Sequence, residues 1–144
     1  MPKRLEFSSV LFSVILISGC LQRPDPFRPG ISNGEKLVLE FLKAINDRDI
    51  QTVSRCFGPE IFQSCWDVGS RYKKDALLKH YKEIFDNPAP ISIQYSKIDH
   101  NSNNTEFIIS IEGQWANIRI QDQDWLITLE NDKIVKIQQC MFRH

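Results

Sequence analysis

Four cysteines and three histidines are the first side chains to weigh as nucleophiles, bases or ligands. Cys20 closes an apolar run, whereas Cys56, Cys65 and Cys140 are scattered through the rest of the chain. A thiol is nucleophilic as its thiolate, and can carry a lipid thioether or enter a disulfide. His80 stands beside Tyr81 and three residues after Leu77, so a partly buried imidazole base is one reading and a core-edge histidine the other. His100 falls in a polar turn, and His144 ends the sequence. Asp122 and Asp124 flank Gln123, where a solvated turn explains them as well as chemistry does. No Cys/His spacing matches a zinc site. There is no glycine-rich phosphate loop and no serine nucleophile elbow, so no metal and no cofactor is expected.

The elements that must position these groups are bounded by composition. The chain has 144 residues, enough for one domain. Eighteen basic and 18 acidic residues cancel, which argues against a nucleic-acid partner. Hydrophobic residues at 42% and charged residues at 25% fit ordinary globular usage, not disorder or a multi-span membrane protein.

The N-terminus reads as an address. Met1-Pro2-Lys3-Arg4 is positive, and Phe7 to Ile17 is apolar apart from Ser8, Ser9 and Ser13. That stretch falls short of the roughly 20 apolar residues of a membrane span and has signal-peptide proportions. It ends in Ile17-Ser18-Gly19-Cys20, which resembles the lipobox of bacterial lipoproteins. The resemblance implies a signal peptide over residues 1–19, cleavage before Cys20, a diacylglycerol thioether on Cys20 and acylation of the new amino group. An ordinary secretory signal with a chance Cys is the rival reading. Leu21, rather than Asp, follows the Cys, so the resemblance implies an outer-membrane lipoprotein facing the periplasm in a Gram-negative host. The bilayer is then one partner, and the cell envelope the location. Over residues 20–32, Pro24, Pro26, Pro29 and Gly30 predict an unfolded, extended tether. At about 3.1 Å per residue its stretch from Leu21 to Gly30 would hold a domain roughly 30 Å off the bilayer.

From residue 33 the pattern is that of one folded unit. Ser32 and Glu35 form a capping-box pair, and Leu37, Val38, Phe41, Leu42 and Ile45 follow at helical spacing. Asp49 caps a short second helix that Gly58-Pro59 should stop. Ile61 to Val68 is ambiguous between strand and connection. Ser70 is the expected cap of a third helix from Lys73 to Phe85. After Pro90 the period becomes two: Ile91, Ile93 and Tyr95, then Phe107, Ile109 and Ile111. Gly113 is expected to turn the chain into a long strand, Trp115 to Leu129. Asn131-Asp132 then leads into a last strand to Phe142. Helices followed by a meander predict an α+β fold.

This order is similar to the nuclear transport factor two-like superfamily, which includes ketosteroid isomerases and polyketide cyclases. Three segments carry the likeness: residues 41–50 (Phe41 to Ile50), 75–81 (Asp75 to Tyr81) and 125–137 (Trp125 to Ile137). The resemblance implies a cone over residues 33–144, three N-terminal helices packed on a strongly bent antiparallel sheet. Its open end would be an apolar pocket lined by Phe41, Trp66, Tyr81, Tyr95, Trp115 and Trp125. Isomerases of this kind pair a carboxylate base with an oxyanion hole of a Tyr and a protonated acid. The matching positions here are Asp67 for the base, Asp124 for the acid and Phe41 for the Tyr. Phe cannot donate a hydrogen bond, which argues against isomerisation. An exported, oxidising setting predicts one disulfide. The likeness puts the strands of Cys65 and Cys140 near each other and so implies that pair, with Cys56–Cys65 the local alternative and three buried free thiols the remaining reading. It also implies a homodimer through the sheet.

The expectation is therefore a membrane-anchored envelope lipoprotein whose domain binds a small apolar ligand or a protein partner without catalysis. A cyclase- or isomerase-type enzyme using Asp67 or His80 is one alternative. An immunity or assembly module docking through the sheet's outer face is the other.

Overall fold

The computed structural model describes residues 20–65 and 68–142, with the side chains of 140–142 left aside. The predicted leader, Trp66, Asp67 and His144 lie outside the described residues.

Helix α1 spans Asn33–Asp47 because Ser32 accepts from the Glu35 amide at 3.1 Å and satisfies one orphan donor of the first turn. Its core stripe is Val38, Leu39, Phe41, Leu42, Ala44 and Ile45, all buried. The helix stops at Arg48, whose left-handed φ of 56° returns its N–H to the Ala44 and Ile45 carbonyls. Asp49 then caps helix α2, Ile50–Cys56, by accepting from the Thr52 amide at 3.1 Å.

Gly58-Pro59 does not open a loop. The chain continues extended as β1, Phe57–Cys65, and returns as β2, Val68–Lys73, so the ambiguous stretch is a hairpin. Ser70 belongs to β2 and caps nothing; helix α3, Lys74–Asp86, follows Lys73 with no side-chain cap. Leu77, Tyr81 and Phe85, four apart, bury its face. Then come β3 (Ile91–His100), β4 (Glu106–Trp115), β5 (Ile118–Glu130) and β6 (Lys133–Phe142). Gly113 is inside β4 and not at a turn. The chain reverses at Ala116-Asn117, with Ala116 at φ 54°. Asn131 and Asp132, at φ 51° and 58°, make the tight β5–β6 turn their types favour.

The sheet order is β2-β1-β6-β5-β4-β3. Neighbours are antiparallel except β1 and β6, which run parallel, so the sheet is mixed and not wholly antiparallel. Those two strands are far apart in sequence, so no hairpin dictates their direction. Register shifts at Tyr95/Lys97, Ile111/Gly113 and Asp124/Leu126 break the ladders where the sheet must bend. The helices fill the inner face, and one core joins them to Ile93, Ile109, Ile111, Ile127 and Ile137.

The predicted free tether is not free. Gln22 and Tyr95 exchange two backbone hydrogen bonds, at 2.8 and 3.0 Å, and Pro24 and Pro26 are buried. Proline-rich chain is extended as expected, but extended chain is also what an open strand edge can pair with.

Candidate functional site

Period-two alternation sends Trp125 inward from β5 and Gln63 inward from β1, while α3 brings Tyr81 down between them. The rings form a continuous aromatic column. Phe41 and Phe57 lie 5.6 Å apart between centroids, and Phe57 meets Tyr81 edge-on at 5.6 Å. Tyr81 meets Trp115 at 5.9 Å, and Trp115 meets Trp125 at 6.3 Å, both near perpendicular. Such edge-to-face pairs add about 0.5–1.5 kcal/mol each beyond burial. Trp115, between Tyr81 and Trp125 in the column, is half-buried and is the ring that solvent reaches.

Two polar features run through this apolar interior. The Tyr81 hydroxyl donates to Gln63 Oε1 at 3.1 Å, and Gln63 Nε2 donates to Gln139 Oε1 at a longer 3.4 Å. Burial pushes the Tyr81 phenol well above its ordinary range, so it stays a neutral donor. The second feature is Trp125: it is 2% exposed and its Nε1 donor has no acceptor among the described residues. Leaving such a group unmet costs about 1–3 kcal/mol.

Of the six predicted pocket residues, Phe41, Tyr81, Trp115 and Trp125 come together. Tyr95 does not join them. It is buried at the β3 edge, where its hydroxyl accepts from Arg28 at 3.1 Å, and burial pushes its phenol up while Arg28 pulls it down. Gln63 and Gln139 were missed, because the β1 strand that sets their partnership was read as ambiguous. The alternation of Ile61 and Gln63 was the signal that could have found Gln63.

Of the candidate catalytic groups, the two that are described, His80 and Asp124, do not converge on the column. His80 is exposed on α3, one residue and about 100° round the helix from inward Tyr81. Asp124 accepts from the Ser110 hydroxyl at 2.9 Å on the outer face, opposite in register to its neighbour Trp125. Successive residues of a strand point to opposite faces, so Asp124 points away from the face that Trp125 occupies. Asp67 lies outside the described residues. Among the described residues no cluster of three or more His, Cys, Asp or Glu could hold a metal ion.

Cys56 is a free, buried thiol, which removes the Cys56–Cys65 alternative. Burial, with Glu40 adding to it, pushes that thiol up to about 12. Cys20 is exposed. Among the described residues no helix is long and apolar enough to cross a membrane. On the outer face, a hollow of about 700 Å³ is lined by Phe62, Arg71, Lys73, Thr128, Lys136 and Glu130 among others.

No protein-family model matches this sequence, and no curated protein does. The fold, by contrast, is widely matched among solved structures. An NTF2-like protein of unknown function from Cytophaga hutchinsonii superposes with a TM-score of 0.62 at 13% identity, over 78% of this chain and 92% of that one. A steroid delta-isomerase from Pseudomonas aeruginosa gives 0.59 at 14% identity, over 81% and 83%. An LEH-like epoxide hydrolase from M. tuberculosis gives 0.60 at 13% identity, over 77% and 84%. At such identities the likeness speaks for the fold alone. The chain has the nuclear transport factor two-like fold, a mixed six-stranded sheet wrapped on three helices.

Proposed function

We propose that this chain is a lipid-anchored protein of the bacterial envelope whose cone binds a small, largely apolar ligand bearing a hydrogen-bond acceptor, without catalysis. The observation that carries the ligand is the Trp125 Nε1 donor, buried in the aromatic column and unmet by an acceptor among the described residues. A carbonyl, ether or hydroxyl oxygen would meet that donor, and Trp115, the half-buried ring beside it, would cover the apolar part. The displaced positions of His80 and Asp124 weigh against acid–base chemistry at the same place. The anchor rests on the lipobox-like run ending at Cys20.

In an exported protein Cys65 is expected to pair with Cys140. In support, Cys65 sits opposite Gln139 in the parallel β1–β6 ladder, one residue from Cys140. A protein partner, or a second copy of this chain, is the second reading. What favours it is the outer sheet face, where Ile108 is 42% exposed and Thr128 Oγ1 is buried without a partner.

The test is native mass spectrometry of the acylated chain extracted from membranes, compared with Trp125→Phe. The expected result is a small-molecule adduct on the parent chain and its loss, at unchanged thermal stability, on the variant. An adduct-free parent that also fails to enhance an anilinonaphthalene sulfonate probe would overturn ligand binding. An unacylated N-terminus at another residue would overturn the anchor.

A further inference from the structure

We propose that the acylated chain lies directly against the bilayer along its β3 edge, with no spacer between lipid and fold. The inference rests on the lipidation of Cys20 proposed above and adds the orientation of the domain.

The argument is one of reach. Gln22 is fixed to Tyr95 by backbone hydrogen bonds in both directions. Six residues on, Arg28 donates to the Tyr95 hydroxyl at 3.1 Å and to the Glu35 carboxylate at 2.5 Å. Between these two ties Pro24 and Pro26 are buried. The segment is therefore held at both ends and in the middle. Only two residue steps separate Cys20 from Gln22, and two extended steps cover at most about 7 Å. Acyl chains on Cys20 must enter the hydrocarbon, so the backbone at Cys20 sits at headgroup level. The headgroup zone is itself only about 5–8 Å deep per leaflet. The β3 edge is thus brought to the headgroups and cannot stand a further 30 Å away, as an unpaired proline tether of this length would allow.

The docked segment also suits a lipid surface. Leu21 is 43% exposed and Phe27 is 78% exposed, and Arg23 is exposed between them. Apolar tips with a cation between them match the boundary of acyl chains and phosphates. At the other end of the sheet, β2 is five strand spacings away, about 24 Å along the sheet surface before bending. The β1–β2 hairpin and the outer hollow beside it then face away from the membrane, open to a partner.

The experiment uses the full acylated chain in phosphatidylethanolamine–phosphatidylglycerol vesicles containing a headgroup-nitroxide lipid. A fluorophore is placed at Lys97→Cys on β3 or at Ser70→Cys on β2, and co-flotation is measured alongside quenching. Quenching severalfold stronger at position 97 than at position 70 is expected. The contrast should vanish in a Gln22→Pro, Arg28→Ala chain that still co-floats. Equal quenching at both positions in an otherwise unaltered, co-floating chain overturns the proposal and leaves the anchor standing. A chain that does not co-float overturns the anchor first, and the orientation with it.

Discussion

The two edges of the sheet are handled in opposite ways. β3 is ten residues long and is covered. Asn46, at the end of α1, donates to the Ile93 carbonyl at 2.9 Å and accepts from the Ile93 N–H at 2.6 Å. Gln22 does the same for Tyr95 through its backbone. Arg48 secures the approach to this strand by donating to the carbonyls of Phe85, Asn87 and Ala89. β2 is six residues long, and every one of them is exposed. A long strand presents a row of free N–H and C=O groups that another chain could pair with, whereas a short one carrying Arg71 and Lys73 deters pairing by itself. Length and charge decide which edge needs a cover.

The largest blow to the covered edge should come from Gly113→Ala. Gly113 faces Ile93 in the β3–β4 ladder at φ 142°, a conformation other residues rarely adopt. An added Cβ would sit 1.8 Å from the Ser92 carbonyl oxygen, so β3 must shift outward. Strain plus the lost ladder should cost about 3 kcal/mol or more, read as a fall in the urea midpoint. Hydrogen exchange should rise first at Ile93 and Tyr95. If exchange rose equally in β2, the two edges would not be independent and the contrast drawn above would fail.

How far these features were legible depends on where their cause lies. The caps at Ser32 and Asp49 and the core rows of β3 and β4 follow from local spacing, and the sequence shows them. The β1–β2 hairpin was obscured because its pairing partner, β6, lies about 70 residues downstream, and because Pro59 and Gly58 read as a stop. The docked segment left no side-chain trace, since Gln22 pairs through its backbone. Its buried Pro24 and Pro26 and its Arg28 bonds to Tyr95 and Glu35, which set it apart from a free tether, depend on partners distant from the segment's own pattern. In the candidate site, ring size pointed to Tyr81, Trp115 and Trp125. Asp124 proved to be on the outer face, because a fold-level likeness does not fix strand register to one residue. Tyr95 looked like a pocket ring and serves the edge instead.

Asn46→Ala tests the cover at a single side chain. It strips the partner from both backbone groups of Ile93, and solvent can replace only part of what is lost. A cost of about 1–2 kcal/mol is expected, less than at Gly113 because no strand must move. Asn46→Asp keeps the acceptor and loses the donor, so it should fall between the parent and Asn46→Ala. An Asn46→Ala chain as stable as the parent would mean that Gln22 alone covers the edge.

Val68→Ser should do the least. Val68 is 77% exposed on β2 and pairs across the hairpin with Cys65 through backbone groups that the substitution leaves alone. A change within about 0.5 kcal/mol is expected at any protein concentration, by the same urea titration. The sharper outcome is a cost that appears only as concentration rises. Stability that depends on concentration means an apolar side chain buried by association, because a partner that binds the folded state stabilises it by mass action. That result would place a second copy on the β2 edge, and would make this edge, too, a covered one: by a neighbouring molecule where β3 is covered from within its own chain.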